Sequence, residues 1–318
     1  MLATLKFVQG SVARKDLVPE LTHFHIGNGR IQGYNGMISL ACPIDLDLDV
    51  CPRATPFIKA IQTCQDTIQL HLTPGGKLSV KSGKFKALIE CTTESFPEVE
   101  PEGEVVKPDG ALLKTLKKLA PFISEDASRP WSRGILLRGQ SAFATNNIVL
   151  VEAWLGYTFP VEINIPRAAI VELLRIGEEP EFLQVTETSV TFHFEGNRWL
   201  RTQTFTTEWP DLGRVLDVPP AGDRLPVPDK FWEALESLTP FVEDLEKVYL
   251  TPGIISTSEN NEVGAMVEVP ELQVTGCYNV HQLLLLKGVA NLVDFSAYPS
   301  PSSFVGDNLR GAVVGMRG

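Results

Sequence analysis

The feature that most constrains this chain is a long internal repeat. Residues 144–216 read as two strands, a helix and a run of hairpins, and degraded copies of this pattern lie before and after them. Landmark asparagines of the three copies, Asn35, Asn146 and Asn260, are separated by 111 and 114 residues. A period of this length is too long for a solenoid repeat and matches a whole domain. The sequence therefore predicts tandem homologous domains.

The length of the chain agrees with three such domains. With 318 residues, 43% of them hydrophobic, the chain has room for two or three cores at roughly 100–150 residues each. Short connectors rich in Pro, Gly and acidic residues lie at 97–108 and 216–228. We therefore expect domain 1 at 1–102, domain 2 at 103–217 and domain 3 at 218–318.

Local patterns follow the same order within each predicted domain. An opening helix is predicted at 5–15, 110–122 and 230–239, and a second helix at 54–64, 166–176 and 280–289. In the second domain, Pro108 and Asp109 supply the helix start signal. A hairpin and one more strand separate the two helices, and alternation in 44–50 indicates that strand in domain 1. The prediction is an α+β fold in which antiparallel strands carry two helices on one face of each domain.

The composition limits which cellular compartment and which binding partners we expect for this protein. No window approaches 18 uncharged apolar residues, and residues 1–10 lack the apolar core of a signal peptide, so we expect a soluble cytoplasmic protein. The five cysteines are scattered without a CxxC pair, which is typical of core thiols in a reducing compartment. A net charge of −11 argues against a nucleic-acid partner unless the basic residues are concentrated on one surface.

Motifs of enzyme and metal chemistry are missing from the sequence. It has no HExxH, no GxSxG, no Walker loop and no GxGxxG after a strand. Asp45, Asp47 and Asp49 imitate the start of a calcium loop, but Val50 stands where the loop needs glycine. We therefore expect no catalytic residue, no metal and no cofactor, and a protein that works by presenting surfaces.

Basic residues are concentrated on the predicted helices. Lys114, Lys117 and Lys118 share the polar face of the opening helix of domain 2. The other helices carry further basic residues, namely Lys6, Arg14, Lys59, Arg167, Arg175 and Lys287. In an acidic chain this concentration indicates a phosphate-contacting surface, and a merely solvated helix face is the alternative. Domain 3 departs from the pattern, because Glu233 and Glu236 occupy the polar face of its opening helix.

With this organisation, several motifs resemble the bacterial DNA polymerase III beta subunit, the sliding clamp. Phe96 and Pro97 resemble the Phe-Pro loop at the end of the clamp's first domain, and residues 144–146 resemble the start of its Ala-Thr-Asp-Gly-His-Arg motif. Residues 209–215, Trp-Pro-Asp-Leu-Gly-Arg-Val, are similar to its Phe-Pro-Asp-Tyr-Arg-Arg-Val, and residues 312–317 to its Val-Val-Met-Pro-Met-Arg end. The resemblance extends over the whole chain.

The resemblance implies the DNA clamp fold and a non-enzymatic function in replication. Two subunits would join head to tail into a homodimeric ring, with sheets outside and helices lining a hole for duplex DNA. Such a processivity factor slides without sequence specificity, tethers DNA polymerase, and is opened by a clamp-loader ATPase. A hydrophobic groove would bind peptides of these partners, and the positions that correspond to its walls are Leu150, Pro210, Val215, Val313, Val314 and Met316.

The sequence also departs from the clamp pattern. The family's His-Arg is Ile148-Val149 here, and its proline near the C-terminus is missing. These departures and the shortened chain indicate a virus- or plasmid-encoded version, such as a phage clamp that acts near the nucleoid in the host cytoplasm. One alternative is a monomeric or trimeric accessory protein that keeps the fold without encircling DNA, which Glu233 and Glu236 favour. An enzyme with an unrecognised site is the other.

Overall fold

The computed structural model describes residues 1–97, 99–108, 110, 112–243, 245–260 and 263–317, so Asp109, the predicted start signal, lies outside the described residues. The helices are α1 (Leu2–Val8), α2 (Ala54–Thr63), α3 (Leu112–Leu119), α4 (Arg167–Ile176), α5 (Gly213–Leu216), α6 (Asp229–Leu238) and α7 (Val280–Leu284). None of these described helices is both long and apolar enough to cross a membrane.

The strands are short apart from one long hairpin. In chain order they are β1 (His25–Gly27), β2 (Arg30–Tyr34), β3 (Ile38–Pro43), β4 (Cys51–Pro52), β5 (Gln69–Leu72), β6 (Leu78–Ser82), β7 (Phe85–Ile89), β8 (Cys91–Thr92), β9 (Glu104–Val106), β10 (Gly134–Thr145), β11 (Val149–Pro166), β12 (Phe182–Val185), β13 (Ser189–Phe194), β14 (Arg198–Gln203), β15 (Leu225–Pro226), β16 (Lys247–Thr251), β17 (Ile254–Ser256), β18 (Met266–Glu268), β19 (Gly276–Asn279), β20 (Leu292–Val293), β21 (Ser302–Gly306) and β22 (Leu309–Val313).

The first of two compact units comprises the described residues of 1–113 and 165–206. Its largest sheet has seven strands in the order β1-β2-β3-β14-β13-β12-β9, and β5-β6-β7 and β4-β8 form two smaller sheets. In the pairing of β3 with β14, Leu40 lies opposite Leu200. This pairing joins strands of predicted domains 1 and 2 into one sheet, so the compact unit crosses the predicted boundary. The three-domain division stays a prediction.

Helices of the first unit bury the apolar faces that their periodicity indicates. The helix α1 packs against β2, β3 and α2, and α4 packs against β14. Leu5 in α1 and Phe57 in α2 are fully buried, and the Phe7 ring lies edge-on, 6.2 Å from that of Phe194. Gly33 in β2 permits the close approach, because a Cβ there would lie 2.7 Å from the hydroxyl oxygen of Ser11. The core therefore forms where helical periodicity places the apolar stripe.

The second unit comprises residues 114–164 and the described residues of 207–318. Its sheets have the orders β10-β11-β22-β21-β20-β15 and β18-β17-β16-β19. The helix α6 packs against α7, and its Phe231 ring lies 5.0 Å from Trp232 and 5.6 Å from Phe295. Tyr278 extends this aromatic cluster at 5.6 Å from Phe295. Large aromatic side chains of this kind supply much of the apolar area that a core buries.

Two of the landmark asparagines, Asn35 and Asn146, shape equivalent hairpin turns. The side-chain oxygen of Asn35 accepts hydrogen bonds from the backbone N–H groups two and three residues ahead, at 3.0 and 2.9 Å, and Asn146 does the same at 3.1 and 2.8 Å. The left-handed residue of each turn is the next one, Gly36 or Asn147. Asn260 accepts a hydrogen bond from a serine hydroxyl, and the two residues that follow it lie outside the described residues. The hairpin turns at Asn35 and Asn146 therefore share one local hydrogen-bond pattern.

Three local predictions differ from the structure. The helix α1 ends at Val8, so Arg14 lies in the chain beyond it. The helix α7 ends at Leu284, so Lys287 follows it. Residues 44–49 form no strand despite their alternating pattern. Alternation specifies two faces, but a strand also needs a neighbour to satisfy its backbone groups, and this segment lacks one along its length.

The cysteines are free thiols, as their scatter indicates. Burial raises the pKa of Cys51 to about 11, with a further contribution from the nearby Asp49 carboxylate. Burial also raises the pKa of Cys42, Cys91 and Cys277. These four thiols are therefore protonated at neutral pH and poor nucleophiles.

Candidate functional site

Three of the predicted phosphate-contacting residues line one depression in the first unit. Lys6 comes from α1, Arg14 from the chain beyond it and Arg175 from the last turn of α4, around a cavity of about 370 Å³. Gln9 and Thr55 complete its polar lining. Basic and polar groups from three chain segments therefore face one space, which favours an anion there.

Arg175 already has an acidic partner. Its Nε donates to Glu172 Oε1 at 2.8 Å, and its Nη2 donates to the Phe7 carbonyl oxygen at 2.7 Å. The Glu172 side chain is only 8% exposed, so this carboxylate depends on the arginine for its charge partner. Gly10 makes room for it, because a Cβ there would lie 1.8 Å from Glu172 Oε1. The positive charge that the depression offers an anion therefore comes from its other two basic residues.

The two remaining basic residues predicted in the first unit lie elsewhere on its helices. Lys59 is exposed on α2, and Arg167 is exposed as the first residue of α4. Neither lines the depression. A phosphate contact at these two positions would therefore be separate from the one at the depression.

In the second unit, the three α3 lysines (Lys114, Lys117 and Lys118) lie on the polar side of that helix. Lys114 and Lys117 are exposed, while Lys118 is half-buried and donates from Nζ to the Asp307 carbonyl oxygen at 3.0 Å. The leucines at 112, 116 and 119 are buried on the other side of the helix. This separation of charged and apolar residues follows the predicted helical periodicity.

Lys287 is paired with an acidic neighbour. Its Nζ lies 2.5 Å from Glu236 Oε1 on α6. Glu233, one turn earlier on the same helix, is exposed. This face of α6 is therefore acidic to neutral, in contrast to the basic face of α3.

A predominantly apolar groove of about 430 Å³ lies in the second unit. Its lining comes from four chain segments, within residues 129–131, 145–150, 210–215 and 312–314. Pockets with apolar walls and a few polar groups at the rim are typical sites for a small ligand or for the side chains of a bound peptide. We call this cavity the groove.

Two tryptophans and a glycine lie in or next to the groove lining. The Trp131 and Trp209 rings meet edge-on at 5.1 Å, and Trp209 belongs to a buried cluster that also packs against Leu150. A Cβ on Gly311 would lie 2.4 Å from the Leu150 carbonyl oxygen and 2.3 Å from the Phe304 ring. Glycine at position 311 therefore lets β22 lie close to β11 where the groove forms.

The structure brings together four of the six residues expected in a groove by resemblance, namely Leu150, Pro210, Val215 and Val314. Val313 is fully buried and points the other way, because consecutive strand residues face opposite sides of a sheet. Met316 lies outside the lining, where its N–H donates to the Cys277 carbonyl oxygen and its own carbonyl accepts from the Tyr298 hydroxyl.

Sequence reasoning missed Trp131 and Ile148 as groove residues. Ile148 is 36% exposed at the turn between β10 and β11. An isoleucine in a tight turn, where polar residues are usual, is a signal that could have found it. No local pattern links Trp131 to the distant Pro210, so only the folded chain shows that both line the groove.

A basic sheet edge in the first unit was also missed. Residues 69–89, which contain β5, β6 and β7, carry four lysines and no acidic residue. Lys81 and Lys86 lie directly opposite each other in the register of β6 and β7, and like charges in this position repel. The outer strand β7 also exposes 53% of Leu88. We call this feature the lysine edge.

An acidic sheet edge lies in the second unit. Residues 243–271 carry seven acidic residues and one lysine. Within the described residues, β18 is an outer strand of its four-stranded sheet, and it exposes 50% of Met266. Phe241 and Val263 nearby are 61% and 75% exposed. We call this feature the acidic edge; like any outer strand, it has backbone groups available for pairing with another chain.

Comparison with known proteins identifies the fold. No protein-family model and no curated protein matches the sequence. Among solved structures, the Caulobacter crescentus pol III beta matches with a TM-score of 0.85 at 19% identity, over 100% of this chain and 97% of that one. The Bartonella birtlesii DnaN sliding clamp, solved with griselimycin, matches with a TM-score of 0.83 at 18% identity, over 100% and 97%. The Helicobacter pylori beta clamp, solved with a DNA ligase peptide, matches with a TM-score of 0.79 at 16% identity, over 99% and 97%.

The chain therefore has the α+β fold of the bacterial beta sliding clamps over its full length. This confirms the resemblance that the sequence motifs indicate.

Proposed function

We propose that this protein is a DNA sliding clamp, a non-enzymatic processivity factor that encircles duplex DNA and tethers a DNA polymerase. The observation that carries the proposal is the full-length match to bacterial beta sliding clamps, with TM-scores of 0.79 to 0.85 for the three structures compared above. A closed ring holds DNA topologically. Its contacts to phosphates can therefore be weak, independent of base sequence and free to slide.

The phosphate contacts in this proposal come from the basic helices. Lys6 and Arg14 at the depression, Lys59, Arg167 and the three α3 lysines supply positive charge, whereas Arg175 and Lys287 contribute less because each has a carboxylate partner. The rest of a chain with a net charge of −11 repels DNA and so directs it to these residues.

The proposed ring closes through the lysine edge of one copy and the acidic edge of another. Pairing β7 with β18 would continue an antiparallel sheet from chain to chain and cover Leu88 and Met266. It would also bring Lys81 and Lys86 close to acidic groups such as Glu268, which relieves the repulsion between the two lysines. Because each copy carries both edges, the copies associate head to tail, and two of them close into a ring.

The groove is the proposed docking site for peptides of the polymerase and the clamp loader. The Helicobacter pylori clamp was solved with a DNA ligase peptide, so peptide binding is known for a protein of this fold. The apolar lining of the groove suits the aliphatic or aromatic side chains of such a peptide. Ile148 and Trp131 add further apolar surface to this lining.

Encirclement is tested with a nicked circular DNA and its linearised form. Subunits are diluted until they separate, mixed with either DNA and concentrated, and DNA-bound protein is then isolated by gel filtration. A clamp stays on the circle, slides off the linear form, and is released when a restriction enzyme cuts the circle. Equal retention on the circular and the linear DNA would contradict encirclement. A dimeric protein that is not retained on the circular DNA would contradict it too.

A second candidate function is that of a non-encircling accessory protein, monomeric or trimeric. It is favoured by α6, where Glu233 is exposed and Glu236 neutralises Lys287, so this helix offers no net positive charge to DNA. Sedimentation velocity separates the candidates. A species of about twice the 35.0 kDa chain mass supports the clamp, and a monomer or trimer supports the alternative.

A further inference from the structure

We propose that the peptide-docking surface extends beyond the groove to Trp154, which binds a second apolar side chain of the same extended peptide. This inference rests on the proposed function of the groove. Trp154 is 54% exposed, whereas the other four tryptophans of the chain, all within the described residues, are buried or half-buried. Tryptophan is among the residues most enriched at the energetic centres of protein interfaces. An exposed tryptophan beside a binding groove therefore points to a partner.

The strand β11 places Trp154 on the same face as the groove. Alternate residues of a strand share a face, so Leu150 of the groove wall, Glu152 and Trp154 form one row. At about 3.4 Å per residue, Trp154 lies about 14 Å from Leu150 along the strand. An extended peptide covers that distance in about four residues.

An anchored arginine separates the groove from Trp154. Nε of Arg310 lies 2.6 Å from Glu152, and its other two nitrogens contact the Leu216 carbonyl oxygen at 3.1 Å and Asp217 at 3.0 Å. These partners hold the guanidinium in place between β11, β22 and the end of α5. The path from the groove to Trp154 therefore passes a fixed arginine.

The backbone at Trp154 is held by its neighbours. Its N–H donates to the Asn308 carbonyl oxygen at 2.9 Å, next to the pairing of Ala153 with Leu309 at the end of the β11–β22 ladder. Binding at this position requires little ordering of the main chain, so less of the contact energy is lost to entropy.

The expected occupant is an extended peptide with two apolar anchors. One anchor enters the groove, and an aromatic or large aliphatic side chain about four residues away packs on the Trp154 ring. Arg310 offsets only one of the two carboxylates, Glu152 and Asp217, that flank the path, so one net negative charge remains there. The second anchor packs on the exposed Trp154 ring itself, whose large apolar surface favours an aromatic or aliphatic side chain.

Selection from a library of random 16-residue peptides displayed on phage tests the inference. The targets are the full-length wild type and the variants Trp154→Ala, Val215→Asp and Thr158→Ala. Thr158 is exposed on the same face of β11, farther from the groove, and serves as the control. The wild type and Thr158→Ala should select peptides with two apolar anchors about four residues apart. Trp154→Ala should select peptides with only the groove anchor, and Val215→Asp should select neither anchor. A melting temperature close to that of the wild type confirms that each variant is folded.

Fluorescence anisotropy with the best wild-type peptide then gives the size of the effect. We expect Trp154→Ala to weaken binding by about 30-fold, as for a hot-spot residue, and Thr158→Ala to leave it unchanged. A peptide whose second anchor is alanine should bind the wild type and Trp154→Ala equally. Identical motifs and affinities for these two proteins would overturn the inference and leave the groove intact. Selection of the same peptides by Val215→Asp and the wild type would overturn the groove proposal and this inference with it. Selection of no peptide by the wild type would do the same.

Discussion

Substituting Leu88 by alanine at the lysine edge should weaken the dimer by about 30-fold. Leu88 is 53% exposed in the single chain, so about half of its side chain is left for a second copy to bury. Full burial of a leucine contributes roughly 1.5–3 kcal/mol, which gives about 1 kcal/mol for one joint between copies. A closed ring of two has two equal joints that must both break. The total of about 2 kcal/mol corresponds to about 30-fold in the dissociation constant.

Sedimentation velocity over a concentration series measures this constant. The matched control is Leu72→Ala, because Leu72 is 48% exposed on β5, the opposite edge of the same three-stranded sheet. This control removes the same atoms at similar exposure but away from the proposed joint, so its dissociation constant should equal that of the wild type. Thermal unfolding of both variants checks that neither substitution has disturbed the sheet.

Two outcomes would refute different parts of the reasoning. Equal dissociation constants for Leu88→Ala and Leu72→Ala would remove β7 from the joint while leaving a ring possible. A wild type that stays monomeric at micromolar concentration would refute the ring itself. Salt gives an independent check, because the proposed attraction between the edges is screened as ionic strength rises. Dimerisation of Lys86→Gln should therefore depend less on salt than that of the wild type.

Three further predictions concern DNA binding, pH dependence and packing. Replacing all three α3 lysines by glutamate should lower retention on nicked circular DNA and reduce the salt dependence of binding; an unchanged salt slope would remove them from the DNA-binding surface. Burial by itself raises the pKa of Asp294, but hydrogen bonds from the Ser296 side chain and the backbone N–H groups of Gly222 and Ser296 lower it below the usual value overall. Its contribution to stability is therefore present above about pH 4 and lost as the pH falls towards the native pKa. Asp294→Asn should flatten that acid loss in a thermal-unfolding series. Gly311→Ala should destabilise the fold by about 1–3 kcal/mol because its Cβ would clash with backbone and ring atoms, whereas Gly75→Ala, which meets no atom within 4 Å, should not.

Local periodicity accounts for the part of the fold that the sequence predicts well. The α3 lysines and leucines separate as helical spacing requires, and the hairpin turns at Asn35 and Asn146 use the same hydrogen bonds. Both patterns depend on residues a few positions apart in the chain, so they are visible without knowledge of tertiary contacts.

The predictions from the sequence fail where a local pattern depends on a residue that is distant in the chain. Residues 44–49 alternate like a strand but pair with none along their length. Val313 and Val314 are neighbours in a motif, yet only Val314 lines the groove, because the pairing of β22 with β11 decides which face each residue takes. Lys287 counts as a basic residue in the sequence, but the Glu236 carboxylate on α6 pairs with its ammonium group.

By itself, the sequence determined the charged and apolar faces of α3, the turns at Asn35 and Asn146, and the resemblance of its motifs to a clamp. Only the tertiary structure decided that β3 joins β14, that Trp131 meets Trp209, and which basic residues have a carboxylate partner. The physical reason is that propensity and periodicity act between near neighbours in the chain. Strand pairing, groove walls and ion pairs depend on which distant residues the fold brings within a few ångströms of each other.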